Sequence, residues 1–173
     1  MSIRYPRYAF FPRSRAPPAW TSAVVKAFRD KEPSISAARA GHKTSNEVLA
    51  LLRPGLLTLG FEVEAGKSDG QKVPRPVLYG DDGELLKHYD IDAYHATWSV
   101  ALEVEAGRAI KGNAIYRDLV QTSLLVDTEY VVIAVPEKYS GEKAYEAARA
   151  ILDAIYASLR LQLPFKGVLL IGY

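Results

Sequence analysis

The sequence contains no cysteine, and only three of its 173 residues are histidine: His42, His88 and His95. The lack of cysteine excludes disulfide bonds, thiolate metal centres and cysteine nucleophiles. So few histidines argue against a multi-histidine zinc site. No apolar run approaches the roughly 18 residues that a membrane-spanning helix needs, so we expect no membrane partner.

The first residues also lack the pattern of an export signal. Residues 1–15 alternate arginine, aromatic residues and proline, without the apolar core that a secretory signal requires. We therefore expect a cytoplasmic protein. The composition, with 49% hydrophobic and 24% charged residues, is typical of one folded domain, or of a domain with an arm, at this length.

The formal net charge of +2 conceals an uneven distribution along the chain. Residues 1–43 carry nine Lys or Arg and two acidic residues, whereas residues 44–173 carry 13 basic and 18 acidic residues. A basic segment joined to an acidic body indicates a polyanionic partner together with a site that uses carboxylates. A basic extension that only improves solubility explains the same distribution equally well.

The residue types divide the chain into two predicted regions. Residues 1–18 hold four prolines and several aromatic residues, which block regular helix and favour an extended arm that docks through its aromatic side chains. Residues 20–31 are predicted to form a short helix. The predicted division is a basic, Pro/aromatic-rich N-terminal arm with a short helix at 1–43, followed by a core at 44–173.

The core shows helical and strand-like patterns in the order α-β-β-β-α-β-α-β. Pro54 and Gly55 interrupt its first helix and predict a kink or a second short helix. The final strand–helix–strand unit predicts a parallel, right-handed crossover, so we expect an α/β fold with a mixed central sheet flanked by helices. The predicted elements are residues 44–59, 61–65, 75–80 with 85–95, 97–105, 112–126, 130–135, 142–161 and 168–171.

Two acid-x-acid pairs lie on consecutive predicted strands: Asp90 with Asp92, and Glu103 with Glu105. Alternation along a strand places both acids of a pair on one face, and a hairpin would bring the two pairs together. Carboxylates held that close repel each other unless a cation is present, and oxygen ligands favour Mg²⁺ or Mn²⁺. The alternative is that both pairs lie on the solvated face of an edge hairpin.

The element order and these acids together resemble the PD-(D/E)xK nuclease superfamily. In that pattern an Asp on the second strand of an αβββαβ core is followed by Glu-x-Lys on the third, and here Asp92 precedes Glu103-Val104-Glu105. Glu105 in the place of the Lys is similar to the BamHI/BglII-like restriction endonucleases. The segments 102–108 and 112–118 also resemble bacterial proteins described as BglII-like. The resemblance implies a restriction-endonuclease-like core.

The resemblance further implies an activity and its site. Asp92, Glu103 and the backbone carbonyl of Val104 would hold Mg²⁺, with Mn²⁺ as an alternative, for hydrolysis of DNA phosphodiester bonds. Glu105 would orient the attacking water or accept its proton. Glu47 corresponds to an acid on the first helix that assists such sites, although a capping box with Thr44 explains Glu47 without any chemistry.

The chain departs from the family pattern in two ways. No proline precedes Asp92, and Asp90 competes with it as the metal ligand; we favour Asp92 because it leads directly into the following Ala-Tyr-His turn. The missing lysine leaves no ammonium group to activate water at the usual place. Lys67, which follows the first strand, is a possible replacement.

Several residues are candidates for contact with nucleic acid. Asn113, Arg117 and Gln121 recur every four residues and share one face of the helix after the motif, with Lys111 just before it. Arg13 and Arg15 belong to the basic arm, whose charges would bind phosphates. The alternative for the helix is an ordinary solvated face. His95 fits either a phosphate contact or a structural turn.

Three functions remain open from the sequence. The first is a metal-dependent DNA endonuclease that acts as a homodimer, because one site cuts one strand. The second is a non-catalytic nucleic-acid-binding module on the same fold, motivated by the missing lysine. The third is an acidic structural or protein-interaction domain. Neither the target sequence nor the choice between DNA and RNA follows from these residues.

Overall fold

The computed structural model describes residues 5–106 and 113–173. They form a six-stranded sheet with helices on both faces and a separate two-stranded ribbon. The helices are α1 (Trp20–Ile35), α2 (Ala37–Ala40), α3 (Ser45–Leu59), α4 (Ala114–Ser123) and α5 (Ala144–Ser158). The strands are β1 (Arg7–Phe11), β2 (Glu62–Val63), β3 (Val73–Tyr79), β4 (Leu85–Ile91), β5 (Ala93–His95), β6 (Val100–Val104), β7 (Tyr130–Val135) and β8 (Gly167–Gly172).

The central sheet is mixed, as predicted. Its strand order is β1-β8-β7-β6-β5-β2, in which β6, β7 and β8 are parallel and the other neighbours are antiparallel. Helix α5 connects β7 to β8 as the crossover that the sequence predicted. The α/β class with helices flanking a mixed sheet is therefore confirmed.

Successive side chains of β6 point to opposite faces of the sheet, and each face has its own hydrophobic core. Val100, Leu102 and Val104 pack in the cluster that holds the apolar sides of α1 and α3. In the opposite cluster, β7 and β8 pack against the apolar sides of α4 and α5. Glu103 is level with Ile133 of β7, which belongs to this second cluster. Alternation thus directs the acids of β6 to the face that carries α4.

The N-terminal segment differs from the predicted arm. Residues 7–11 are extended and bury aromatic side chains, as expected, but they form β1, which pairs with β8 along its whole length. Pro6 and Pro12 flank the strand, at positions that an edge strand tolerates. The prolines that argued against helix are thus compatible with an edge strand, and the predicted order lacked this element.

The predicted strand at 85–95 is divided between two sheets. Leu85–Ile91 pairs with β3 in the ribbon, whereas Ala93–His95 joins the central sheet between β2 and β6. Asp92 is the residue at this junction. A second difference is that α3 continues through Pro54 as one helix, without the predicted division.

No helix in the two described ranges is long and apolar enough to cross a membrane.

Candidate functional site

Asp92 is fixed by backbone contacts at the junction of β4 and β5. Its Oδ2 accepts a hydrogen bond of 2.7 Å from the backbone N–H of Val104 on β6. Its own carbonyl accepts one of 2.8 Å from the N–H of Glu64, which follows β2. Since Ala93 is level with Leu102, the register brings Asp92 beside Glu103. The predicted hairpin therefore forms where Asp92 meets Glu103, whereas Asp90 lies on β4 in the ribbon, apart from the second pair.

The carboxylates around Glu103 are partly withdrawn from solvent and close to one another. Burial and the negative charges of Asp92, Asp118 and Glu105 raise the pKa of Glu103 well above its ordinary value. Burial also raises the pKa of Asp92 to about 6, and the hydrogen bond from Val104 opposes this effect. These acids are not on a solvated hairpin face, which was the alternative for the two pairs.

Glu105 lies at the end of β6, between the buried acids and solvent. Burial and the neighbouring Asp118 raise the pKa of its carboxyl to about 7, and the charge of Arg117 opposes this rise. A carboxyl with this pKa can hold or release a proton near neutral pH, which is what a general base requires.

Asp118 is a member of this cluster that the sequence reasoning missed. It lies on the buried side of α4 with Ile115 and Leu119, and is only 4% exposed. Burial raises the pKa of its carboxyl as well. The available signal was an acid on the apolar face of a helix, where buried charges are rare unless paired. The prediction followed the polar face of the same helix instead.

Arg117 pairs with two of these carboxylates. Its Nη2 lies 2.6 Å from Oε1 of Glu105 and 2.9 Å from Oδ1 of Asp118. The side chain is still 59% exposed. Arg117 therefore connects these acids with solvent, and its predicted contact with nucleic acid stays a prediction.

A cleft of about 560 Å³ opens beside Glu105 and Arg117. Its other walls come from the start of α3, including Lys43 and Glu47, and from Tyr139. Glu47 also forms the predicted capping box, because its carboxylate accepts hydrogen bonds from the backbone N–H and hydroxyl of Thr44. The structure thus places Glu47 in the same cleft as Glu105 while its carboxylate caps α3.

The remaining predicted residues near the site have other contacts. The amide of Gln121 donates to the carbonyl of Asp90 at 3.3 Å. The carboxylate of Asp90 pairs with Lys72 at 2.9 Å, on the ribbon. Asn113 is exposed at the start of α4. Lys111 lies outside the described residues.

Lys67 and His95 were predicted with alternatives. Lys67 pairs with Glu64 at 2.6 Å, and its charge lowers the pKa of Asp92, so it lies near the acids. His95 stacks on Trp98 with ring centroids 3.7 Å apart, and its Nδ1 accepts from the N–H of Trp98. Its Nε2 lies 3.0 Å from the carbonyl of Leu59. These contacts are those of a structural turn histidine.

Arg13 and Arg15 lie at the other end of the sheet. Phe11 is level with Val168 at the start of β8, whereas Glu105 follows the end of the parallel strand β6. Arg13 is 3.4 Å from Asp153, and Arg15 donates to the carbonyl of Lys166. Their contact with nucleic acid stays a prediction, and it would involve a surface away from the carboxylates.

The acids fit a divalent cation by their chemistry. Carboxylate and carbonyl oxygens are hard ligands, and the mutual repulsion of the buried acids would be relieved by bound positive charge. One oxygen of Asp118 is buried and has no hydrogen-bond partner among the described residues. In residues 5–106 and 113–173, no three acids or histidines already converge in metal-ligand geometry.

Comparison with known proteins gives a structural match but no sequence match. No protein-family model matches the chain, and no curated protein matches it. Among solved structures, the crystal structure of restriction endonuclease BglII complexed with a DNA 16-mer is similar, with a TM-score of 0.58. The match covers 96% of this chain and 74% of that chain at 10% sequence identity. The fold is therefore restriction-endonuclease-like.

The raised pKa values predict how the stability of the metal-free protein depends on pH. Folding takes up protons between the ordinary carboxyl pKa near 4 and the raised values of about 6 for Asp92 and about 7 for Glu105. The contribution of these acids to the free energy of unfolding should therefore fall as pH rises from 4 to 7, by ~2–3 kcal/mol for Asp92. Urea unfolding in a chelator measures it.

In the variant Glu103→Gln, the free energy of unfolding should depend less on pH. The substitution removes a carboxyl with a raised pKa and its repulsion of the other acids. Glu84→Gln, at an exposed position, is the matched control and should retain the wild-type dependence. If the free energy of unfolding changes equally with pH in both variants, Glu103 and its neighbouring acids do not cause the pH dependence.

Proposed function

We propose that this protein is a divalent-metal-dependent endodeoxyribonuclease that hydrolyses phosphodiester bonds of DNA. We assign it to the PD-(D/E)xK superfamily, in the BamHI/BglII-like branch with Glu-x-Glu in place of Glu-x-Lys. The observation that carries the proposal is the partly buried group of Asp92, Glu103 and Glu105, with raised pKa values, beside an open cleft of a restriction-endonuclease-like fold.

Asp92, Glu103 and the carbonyl of Val104 would hold Mg²⁺ or Mn²⁺. When bound, such an ion supplies charge neutralisation at the scissile phosphate and lowers the pKa of a coordinated water. The N–H of Val104 holds Asp92 in place, which fixes the orientation of one carboxylate before any ligand arrives. Partial burial of Glu103 lowers the local dielectric, which would strengthen its interaction with a cation.

Glu105 would accept the proton of the attacking water. Its pKa of about 7 suits a base that works near neutral pH, and its position at the cleft lets it reach a substrate. The cleft also carries Lys43 and the exposed part of Arg117, which provide positive charge for the phosphates of a DNA strand.

A non-catalytic nucleic-acid-binding module on the same fold is the second candidate. It is favoured by Glu105 standing where the family pattern has lysine, and by the pairing of Lys67 with Glu64. The basic residues of the cleft would then bind phosphates without hydrolysis.

We also propose that two copies of the chain associate, since cleavage of both DNA strands needs two sites. Helix α4 and the residues that follow it expose an apolar row, and the nearby ribbon exposes a second apolar group. The N–H of Val126, after α4, donates to the carbonyl of Pro76 on β3, so the two groups adjoin. The exposed side chains are Tyr116, Val120, Leu124 and Val126, with Leu78, Tyr79, Leu85 and Leu86 of the ribbon.

Cleavage of supercoiled plasmid with Mg²⁺ or Mn²⁺ tests the activity. The wild type should cleave only with added metal, and Glu103→Gln should lose activity by at least about 100-fold because a metal ligand is removed. Glu84→Gln is the control and should cleave normally. Salt-dependent DNA binding without cleavage under either metal would favour the non-catalytic module, and no such binding would contradict both candidates.

A substitution that introduces a charge into the exposed apolar row tests whether two copies of the chain associate. Val120→Glu should convert a dimer into a monomer in light scattering after size exclusion, because it buries a charge in the interface. The monomer should nick plasmid DNA more readily than it linearises it. Leu57→Glu, an equally exposed apolar position on α3, is the control and should stay dimeric. A monomeric wild type that linearises DNA would contradict the proposal.

A further inference from the structure

We propose that Asp118 is an additional carboxylate of the cation site, and that Arg117 is its resident counter-charge while no metal is bound. This inference rests on the proposed function, because it concerns the same cluster of acids. It assigns roles to two adjacent residues of α4 that the acid-x-acid pattern does not include.

Asp118 has one satisfied and one unsatisfied oxygen. Its Oδ1 accepts from Nε of Arg117 at 3.1 Å and from Nη2 at 2.9 Å. Its Oδ2 is buried and has no partner within the described part of the chain. A buried carboxylate oxygen without a donor lowers the stability of the fold. A bound cation would satisfy this oxygen and remove that cost.

The free oxygen belongs to a carboxyl that faces the other acids. The charge of Asp118 raises the pKa of Asp92, of Glu103 and of Glu105, so its carboxyl lies close to all three acids. Three separate parts of the fold, the β4–β5 junction, β6 and α4, thus contribute carboxylates close enough to raise one another's pKa. In the described, metal-free residues, no three of them already stand in metal-ligand geometry. A cation bound there would be in contact with the helix as well as with the sheet.

Arg117 occupies the position that such a cation would share. Its guanidinium bonds to Glu105 and Asp118 together, which places one positive charge between two acids. Because more than half of the side chain is exposed, Arg117 can leave the acids and extend into the cleft. Displacement by a divalent ion would free the guanidinium to bind a phosphate of the substrate.

This exchange accounts for the missing lysine. A lysine two residues after Glu103 would supply positive charge from the strand itself, whereas this chain has Glu105 there. The positively charged side chain is instead Arg117, on the following helix. Glu105 and Arg117 would then act as a pair, with Arg117 as a positioning residue for Glu105 in the metal-free protein.

Titration of the metal-free, full-length protein with Mn²⁺ alone tests the proposal by calorimetry. Asp118→Asn preserves shape and removes the charge, so it should weaken Mn²⁺ binding by about 10-fold or more. Arg117→Gln should tighten binding several-fold, because the competing cation is gone. Asp127→Asn, which alters an acid after α4 outside the cluster, should bind Mn²⁺ like the wild type.

Unchanged Mn²⁺ affinity in a folded Asp118→Asn variant, checked by circular dichroism, would overturn the proposal. If that variant does not fold, Arg117→Gln decides, and weaker or unchanged binding by it would overturn the proposal. A wild type that binds Mn²⁺ and never cleaves DNA would contradict the proposed function alone. A wild type that cleaves while Asp118→Asn binds Mn²⁺ normally would contradict this inference alone. No Mn²⁺ binding by the wild type would overturn both.

Discussion

Four carboxylates lie near the end of β6 and influence one another electrostatically, and one guanidinium, that of Arg117, bonds to two of them. Asp92, Glu103, Glu105 and Asp118 all have raised pKa values, and burial is the largest cause for each. Such a group is costly in the absence of bound cations. The proposed metal, the role of Glu105 and the exchange of Arg117 all derive from this concentration of partly buried acids.

The fold creates this concentration through ordinary packing. Alternation on β6 buries Val100, Leu102 and Val104 under α1 and α3, so the intervening acids must face α4. The hydrogen bond from the N–H of Val104 then brings Asp92 against the same strand. Hydrophobic burial on one face of β6 therefore supports the acids on the other face, and a rigid strand is a precise support for such a site.

The sequence was most informative where a pattern depends on local geometry. Alternation predicted that Glu103 and Glu105 share one face of their strand, and the two acid pairs predicted the approach of Asp92 to Glu103. Tertiary pairing was harder to predict: residues 85–95 divide between two sheets, and β1 becomes an edge strand because β8 offers a free edge. Asp118 was missed because its environment depends on how α4 packs, whereas Arg13 and Arg15 were assigned from charge alone, without knowledge of their distance from the acids.

The central claim is that the acids around β6 form a cation site. The most direct measurement is a crystal structure of the protein soaked with Mn²⁺, in which anomalous scattering locates the ion. We predict a peak in contact with the carboxylates of Asp92 and Glu103, with the guanidinium of Arg117 displaced from Glu105. An Mn²⁺-soaked crystal with no anomalous peak at these acids, and with Arg117 still bonded to Glu105 and Asp118, would contradict the account.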